Sequence, residues 1–240
     1  MQTNITNNTK LTKLRFLKII FDTEIKPWEI PAFRGAISEK VGFDRDVFHN
    51  HRSDGSVYYR YPLIQYKSFG NNPGMVCMGD SVDEIYHLFS GKSNIIRFSG
   101  EAHELKIKEL NLKQFNMQVW DKSFNYRLTR WLPLNQKNYN QYFSRQSEKE
   151  RREMLNRILA GHILSFAKGI GWWMEKRFDV EITNIFRSKQ VRFKENIVTS
   201  FDILFRSNVF IPNYTGIGKG VSKGFGVVHE DFGRRNNKNN

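Results

Sequence analysis

Apolar and polar positions alternate along Lys13 to Phe21, with Leu14, Phe16, Lys18 and Ile20 on one side and Arg15, Leu17 and Ile19 on the other. This period of two predicts a strand. Beyond the Pro27 and Pro31 breaks, Ala32, Phe33, Ala36, Ile37 and Val41 recur at helical spacing, so a helix is expected from Ala32 to Val41. Val57 to Phe69 and Gly74 to Met78 flank the turn signal Asn71-Asn72-Pro73-Gly74 and read as a hairpin. Ser81, with Glu84 three residues on, has the form of a capping box opening a helix whose buried face is Ile85, Leu88 and Phe89 and which Gly91 ends. Leu105 to Phe115 supplies a further strand. The order β-α-β-β-α-β is that of a split βαβ, ferredoxin-like (RRM-like) domain.

A second round of elements begins near Phe124. Tyr126, Leu128 and Arg130 alternate in a strand. A long helix is expected from about Ser147 to Met174, its apolar stripe being Leu155, Ile158, Leu159, His162, Ile163, Phe166 and Ile170. Strand-like segments follow at Glu181 to Arg187, Val191 to Lys194 and Asn196 to Val209, then a glycine-rich stretch and Val227-Val228. The reading is an α+β protein of two tandem ferredoxin-like domains, residues 13–118 and 119–232, the second carrying a C-terminal glycine-rich loop at 216–226. Residues 1–12 and the tail 233–240, rich in Asn and Lys, are expected to be disordered.

Charge narrows the partners. Lys and Arg number 38 against 24 Asp and Glu, a formal charge of +14. That favours a polyanion, either nucleic acid or an anionic membrane surface. The basic residues are spread through strands, loops and helices and form no single amphipathic anchor, so nucleic acid is the better fit. No apolar run reaches the ~20 residues of a membrane span, and Met1 to Lys10 has no signal-peptide core. One cysteine, Cys77, suits a reducing cytoplasm and excludes a cysteine zinc cage.

The stretch from Gly216 to Gly226 contains five glycines and the cations Lys219 and Lys223. Glycine adopts positive φ freely and lets another backbone approach, so such a loop can offer N–H groups to a phosphate. The alternative is a flexible connection before a last strand. Neither nucleotide fingerprint fits. The only Gly-Lys-Ser, Gly91-Lys92-Ser93, has Tyr86 where a Walker loop needs glycine, and Val221 stands where G-x-G-x-x-G needs its third glycine. No nucleotide cofactor is expected.

His49-Asn50-His51, with Arg52 beside it, precedes the Ser53-Asp54-Gly55 turn. In extended backbone, residues two apart project to one side, so both imidazoles can address one substrate. One histidine can take a proton while another gives one, the two acts needed to cut RNA with its own 2′-hydroxyl, and Arg52 can stabilise charge on the phosphate. His-x-His is also half of many metal sites, but no cluster with partner-like spacing accompanies it. A surface pair without a role is the third alternative. The best extended cationic patch is Arg187, Lys189, Arg192 and Lys194, with Arg192 and Lys194 expected on one side of a strand and Val191 and Phe193 on the other. Such a ribbon can track a phosphate backbone, or be a solvated sheet face. Arg127, Arg130, Lys106 and Lys108 extend the positive surface.

Together these features resemble the CRISPR-associated repeat-processing endoribonucleases, which cut precursor CRISPR RNA within its repeats. The family's C-terminal loop has the form G-φ-G, five residues including a base, G-φ-G. Here Gly216-Ile217-Gly218 and Gly224-Phe225-Gly226 bracket Lys219, Gly220 and Lys223. Tyr61 to Lys67 resembles the family's second strand, and Arg130 to Asn135 with Asn138-Tyr139 the start of the second domain in one subgroup. The resemblance implies cleavage without metal or cofactor, by 2′-hydroxyl attack, leaving a 2′,3′-cyclic phosphate and a 5′-hydroxyl. It implies His49 and His51 as the catalytic pair, with Arg52 beside them, and a repeat held between the domains by the loop and the basic ribbon. The partners it implies are CRISPR repeat RNA, other CRISPR-associated proteins of an effector complex, and a second copy of the chain in a homodimer, all in the cytoplasm. Its alternative is a non-catalytic subunit of the same superfamily that holds guide RNA.

Overall fold

A computed structural model describes residues 12–42, 48, 60–91 and 93–232. The chain is α+β, built on antiparallel sheets with few helices. β1 (Thr12–Phe21) leads through a short turn of 3-10 helix to α1 (Ile30–Val41), then β2 (Ile64–Phe69) and β3 (Asn72–Met78). Two single helical turns, α2 (Ser81–Glu84) and α3 (Tyr86–Phe89), precede the small hairpin β4 (Ile95–Phe98) and β5 (Glu101–Glu104). β6 (Ile107–Met117) and β7 (Val119–Trp131) follow, then α4 (Gln136–Ser144) and α5 (Glu148–Gly169). β8 (Val180–Phe193), β9 (Asn196–Val209) and β10 (Val227–Glu230) complete the described chain.

The first sheet runs β2-β3-β1-β6 and the second β10-β7-β9-β8. In each, two strands joined through helices (β1 and β2, β7 and β8) are separated by the strand that comes next, which is antiparallel to both. Each half thus repeats one split βαβ order. The second half, however, joins β9 to β10 through residues 210–226, where no helix forms.

Strands β1 and β3 of the first sheet are covered on both faces, while β6 at its edge is largely exposed. Leu17, Ile19 and Phe21 of β1 pack with Phe33 and Ile37 of α1, whereas Leu14 and Phe16 join the core of the second half, with Leu159, Ile163 and Phe166 of α5. The same division runs through β3, where Met75 and Cys77 face α1 and Val76 and Met78 face the second half. Tyr61 crosses between them, its ring meeting Phe166 edge-on at 5.5 Å.

Several elements differ from the sequence expectation. Helix α1 begins two residues early because Pro31 occupies its first turn, where a missing N–H costs nothing. The hairpin turns at Gly70-Asn71, with Ser68 opposite Pro73, so Asn72 to Gly74 belong to the strand. Ser81 does not cap a helix: its buried hydroxyl donates to Met78 O (2.9 Å) and accepts from Met78 N, tying off β3. Helix α5 stops at Gly169, short of Met174, while Ser147 and Glu150 form the capping box that starts it. The two segments expected at Glu181 to Arg187 and Val191 to Lys194 are one 14-residue strand, β8, with bulges in its pairing to β9 absorbing the irregular pattern, whereas β9 has the expected bounds. No described helix is long and apolar enough to cross a membrane.

Candidate functional site

The glycine-rich loop lies in the seam between the halves, where strand β2 grips it. Along β2, Ile64 and Tyr66 point into the core under α1, so Gln65 and Lys67 point the other way, toward the loop. Both are fully buried. Gln65 Oε1 accepts the N–H of Gly216 (2.8 Å), and its Nε2 donates to the hydroxyl of Tyr61 (2.8 Å), which donates in turn to Gly216 O (2.7 Å). Lys67 Nζ donates to Val221 O at 3.2 Å. Such a network holds only when each buried polar group finds a partner, and here each bond runs from one half of the chain to the other or to its neighbour in the network.

The loop closes on itself at its base. Ile217 N–H donates to Gly226 O and Gly226 N–H to Arg130 O. Gly218, Gly220, Gly224 and Gly226 all have positive φ. A Cβ on Gly218 would lie 2.8 Å from Trp131, and one on Gly220 2.6 Å from the ring of Phe193. Gly218 and Gly220 are therefore demanded by close packing as well as by backbone conformation. At the crest, Gly218, Lys219 and Gly220 are half-exposed, and their N–H groups meet no acceptor among the described residues.

Cations converge on this crest. Burial lowers the pKa of Lys223, and the charges of Arg34 from α1 and Lys194 from the β8–β9 turn lower it further. Burial, reinforced by Arg130, pushes Lys67 down to about 7. The Arg130 guanidinium rests 4.4 Å from the Phe225 ring centre, while its backbone N–H, at φ 53°, donates to Asp202 Oδ1. Lys219 Nζ donates to Leu134 O at 2.9 Å. Mutually repelling cations gathered around free N–H groups form a site that an anion would neutralise.

The histidines divide sharply. His162 stands on α5 with Nδ1 accepting from the indole N–H of the fully buried Trp131 (3.2 Å), and burial and then Lys219 lower its pKa to about 4. His229 packs edge-on to Tyr214, and burial, Lys67 and Arg127 all hold it below its ordinary value. His49, His51 and Arg52 lie outside the described residues. Phe48, just before them, is buried and its carbonyl accepts from the hydroxyl of Tyr66, whose backbone bridges Lys223.

The basic ribbon is only partly as expected. Arg187, Lys189 and Arg192 are exposed along β8, opposite Asp202, Ser200 and Ile197 of β9. Lys194 does not share a strand face with Arg192: it leaves the strand at φ 57° to make the turn, because the hairpin reverses there. Phe193 meets Phe225 edge-on at 5.5 Å, which joins the hairpin tip to the loop. Lys106 and Lys108 are at the strand β6 edge, across the sheet from β2. Sequence reasoning missed Gln65, Lys67 and Arg34. The polar alternation in Ile64-Gln65-Tyr66-Lys67 was visible, but it reads as a solvent face.

The family model for the Cas6b N-terminal domain matches residues 12–116, and that for the Cas6b C-terminal domain matches residues 118–231. A crystal structure of Cas6b superposes with a TM-score of 0.83 at 28% identity, over 91% of this chain and 100% of that one. A crystal structure of the CRISPR RNA processing endoribonuclease Cas6b gives a TM-score of 0.69 at 27% identity, over 91% and 100% of the two chains. An uncharacterized protein of Methanocaldococcus jannaschii is 32% identical over 134 residues, 55% of this chain and 90% of that protein.

Proposed function

The chain belongs to the Cas6b family, and from that premise we propose that it is an endoribonuclease that processes CRISPR RNA. The observation that carries the proposal is the cationic loop between the halves: Lys219 and Lys223 belong to the same loop as the half-exposed N–H groups of Gly218, Lys219 and Gly220, and Arg130 rests on its Phe225. We read the two halves, each with its split βαβ strand order, as tandem ferredoxin-like domains, 13–118 and 119–232, with repeat RNA laid along the seam between them. Phosphates would settle on the loop and on Arg187, Lys189, Arg192 and Lys194 of the β8–β9 hairpin.

The chemistry we assign is transesterification. One of His49 and His51 takes the proton of a ribose 2′-hydroxyl, whose oxygen attacks the adjacent phosphorus. The other histidine gives a proton to the departing 5′-oxygen, and Arg52 offsets the charge on the phosphate. The products are a 2′,3′-cyclic phosphate and a 5′-hydroxyl, and the protons balance without a metal. General acid and base groups contribute typically about 10²–10⁴-fold each.

The test is cleavage of cognate repeat RNA in EDTA by the wild type, His49→Ala, His51→Ala and the double variant. A parallel substrate carries deoxyribose 5′ to the cut. We expect the wild type to cut in EDTA, the deoxy substrate to resist, and at least one single variant to lose about 10²-fold or more. A protein that binds the repeat and never cuts it would be a guide-holding subunit. Loss of cutting in EDTA would replace the proton-transfer reading with a metal-dependent one.

A further inference from the structure

A cavity of about 530 Å³ opens beside the glycine loop, between the start of α4 and the β8–β9 turn. Its lining combines amides, aromatics and cations, with no carboxylate: Asn135, Gln136, Asn140 and Asn196 around Tyr139 and Phe193, with Lys194 and Lys219 at the rim. Its size lies in the range of small-molecule sites and exceeds one base. Tyr139 is 39% exposed, and its ring is braced by Phe143 at 4.6 Å. Asn135 Oδ1 is already engaged by Asn138 N–H (2.7 Å), which fixes that amide and leaves its NH₂ group as a donor.

We propose that this cavity receives one unpaired nucleotide of the RNA, its base stacked on Tyr139 and read by the amides, its phosphate met by Lys194 and Lys219. The proposal rests on the RNA-processing reading and deepens it. Lys219 belongs to both the loop crest and the cavity rim, so a strand crossing the crest reaches the cavity without a further span. Bases are recognised on unstacked, single-stranded RNA through aromatic stacking and edge hydrogen bonds, and this pocket offers both among its aliphatic residues Leu132, Leu134, Ile197 and Val198. The absence of carboxylates from the lining removes the repulsion that would oppose a phosphate.

The experiment is a binding titration of the full chain with cognate repeat RNA and copies each carrying one abasic position, with cutting scored separately. Wild type, Tyr139→Ala and Asn140→Ala are compared; both side chains are exposed, so folding is not at stake. We expect Tyr139→Ala to bind intact RNA about tenfold more weakly. One abasic position should weaken wild type similarly while costing Tyr139→Ala nothing further, because both changes remove the same stack. Wild-type affinity in both variants for every RNA, or the same additional loss in Tyr139→Ala and wild type at every abasic position, would overturn the pocket. If the single-position pattern appears but wild type never cuts, the nuclease reading fails and the pocket stands. If wild type cuts and the pattern is absent, the reverse holds.

Discussion

Two glycines show how one residue type meets opposite demands. Gly226 has φ 62°, and a Cβ there would overlap the carbonyl of Ile217 across the loop base. Gly35 lies within α1, where a Cβ would meet nothing within 4 Å. Gly226→Ala should therefore destabilise the chain by about 3 kcal/mol or more, through strain and steric overlap together. Gly35→Ala should stabilise it by about 0.5–1 kcal/mol, through helix propensity. Urea unfolding of the two variants measures both. His162 sets an acid limit. Its folded pKa of about 4 lies below its ordinary value of 6.5, so between these values the unfolded chain binds the extra proton and stability falls as pH drops. His162→Gln can keep an acceptor for Trp131 and remove that titration. Its stability should vary less between pH 6.5 and 4 than that of the wild type, as thermal unfolding across that window would read.

At the scale of elements, strand β2 is both a core strand and a latch. Gln65→Leu would leave the buried N–H of Gly216 without its acceptor and strip Tyr61 of its donor. A loss of about 1–3 kcal/mol is expected, together with faster hydrogen exchange at Gly216, Ile217 and Gly226. Exchange unchanged at those amides would mean that the loop holds itself without β2. Periodicity alone revealed strands β1, β7 and β9 and the long helix α5, because each buries a continuous stripe. It missed α4, whose Gln136-Lys137-Asn138-Tyr139-Asn140 run is polar and buries chiefly Tyr142. It also missed the four-residue strands β4 and β5, too short for alternation to register. Ser81 bonds back to β3 instead of capping a helix, a choice that a capping-box pattern cannot foresee.

Over the whole molecule, the charge of +14 acts through where its members gather. Lys223 gathers with Arg34 and Lys194, and the buried Lys67 with Arg130, cations from five separate stretches of chain drawn in around one loop. RNA affinity should fall steeply with salt, with a log–log slope of roughly −3 if four or five phosphates are neutralised. Lys223→Ala should flatten that slope by about 0.7; an unchanged slope would place Lys223 away from the phosphates.

The sequence by itself determined the alternating strands, the stripe of α5, the positive charge and the paired G-φ-G spacing. These are local properties, written in neighbouring residues and in backbone conformations that glycine alone adopts freely. Tertiary structure decided which polar faces would be buried. Gln65 and Lys67 sit in a pattern that equally describes a strand facing water, and only the glycine loop closing over β2 makes them a latch. The same closure desolvates Lys67; within the second half, Trp131 finds its partner in His162 of α5, and Lys194 leaves its strand where the hairpin reverses. Periodicity states that a face exists; what covers that face depends on segments more than a hundred residues away along the chain.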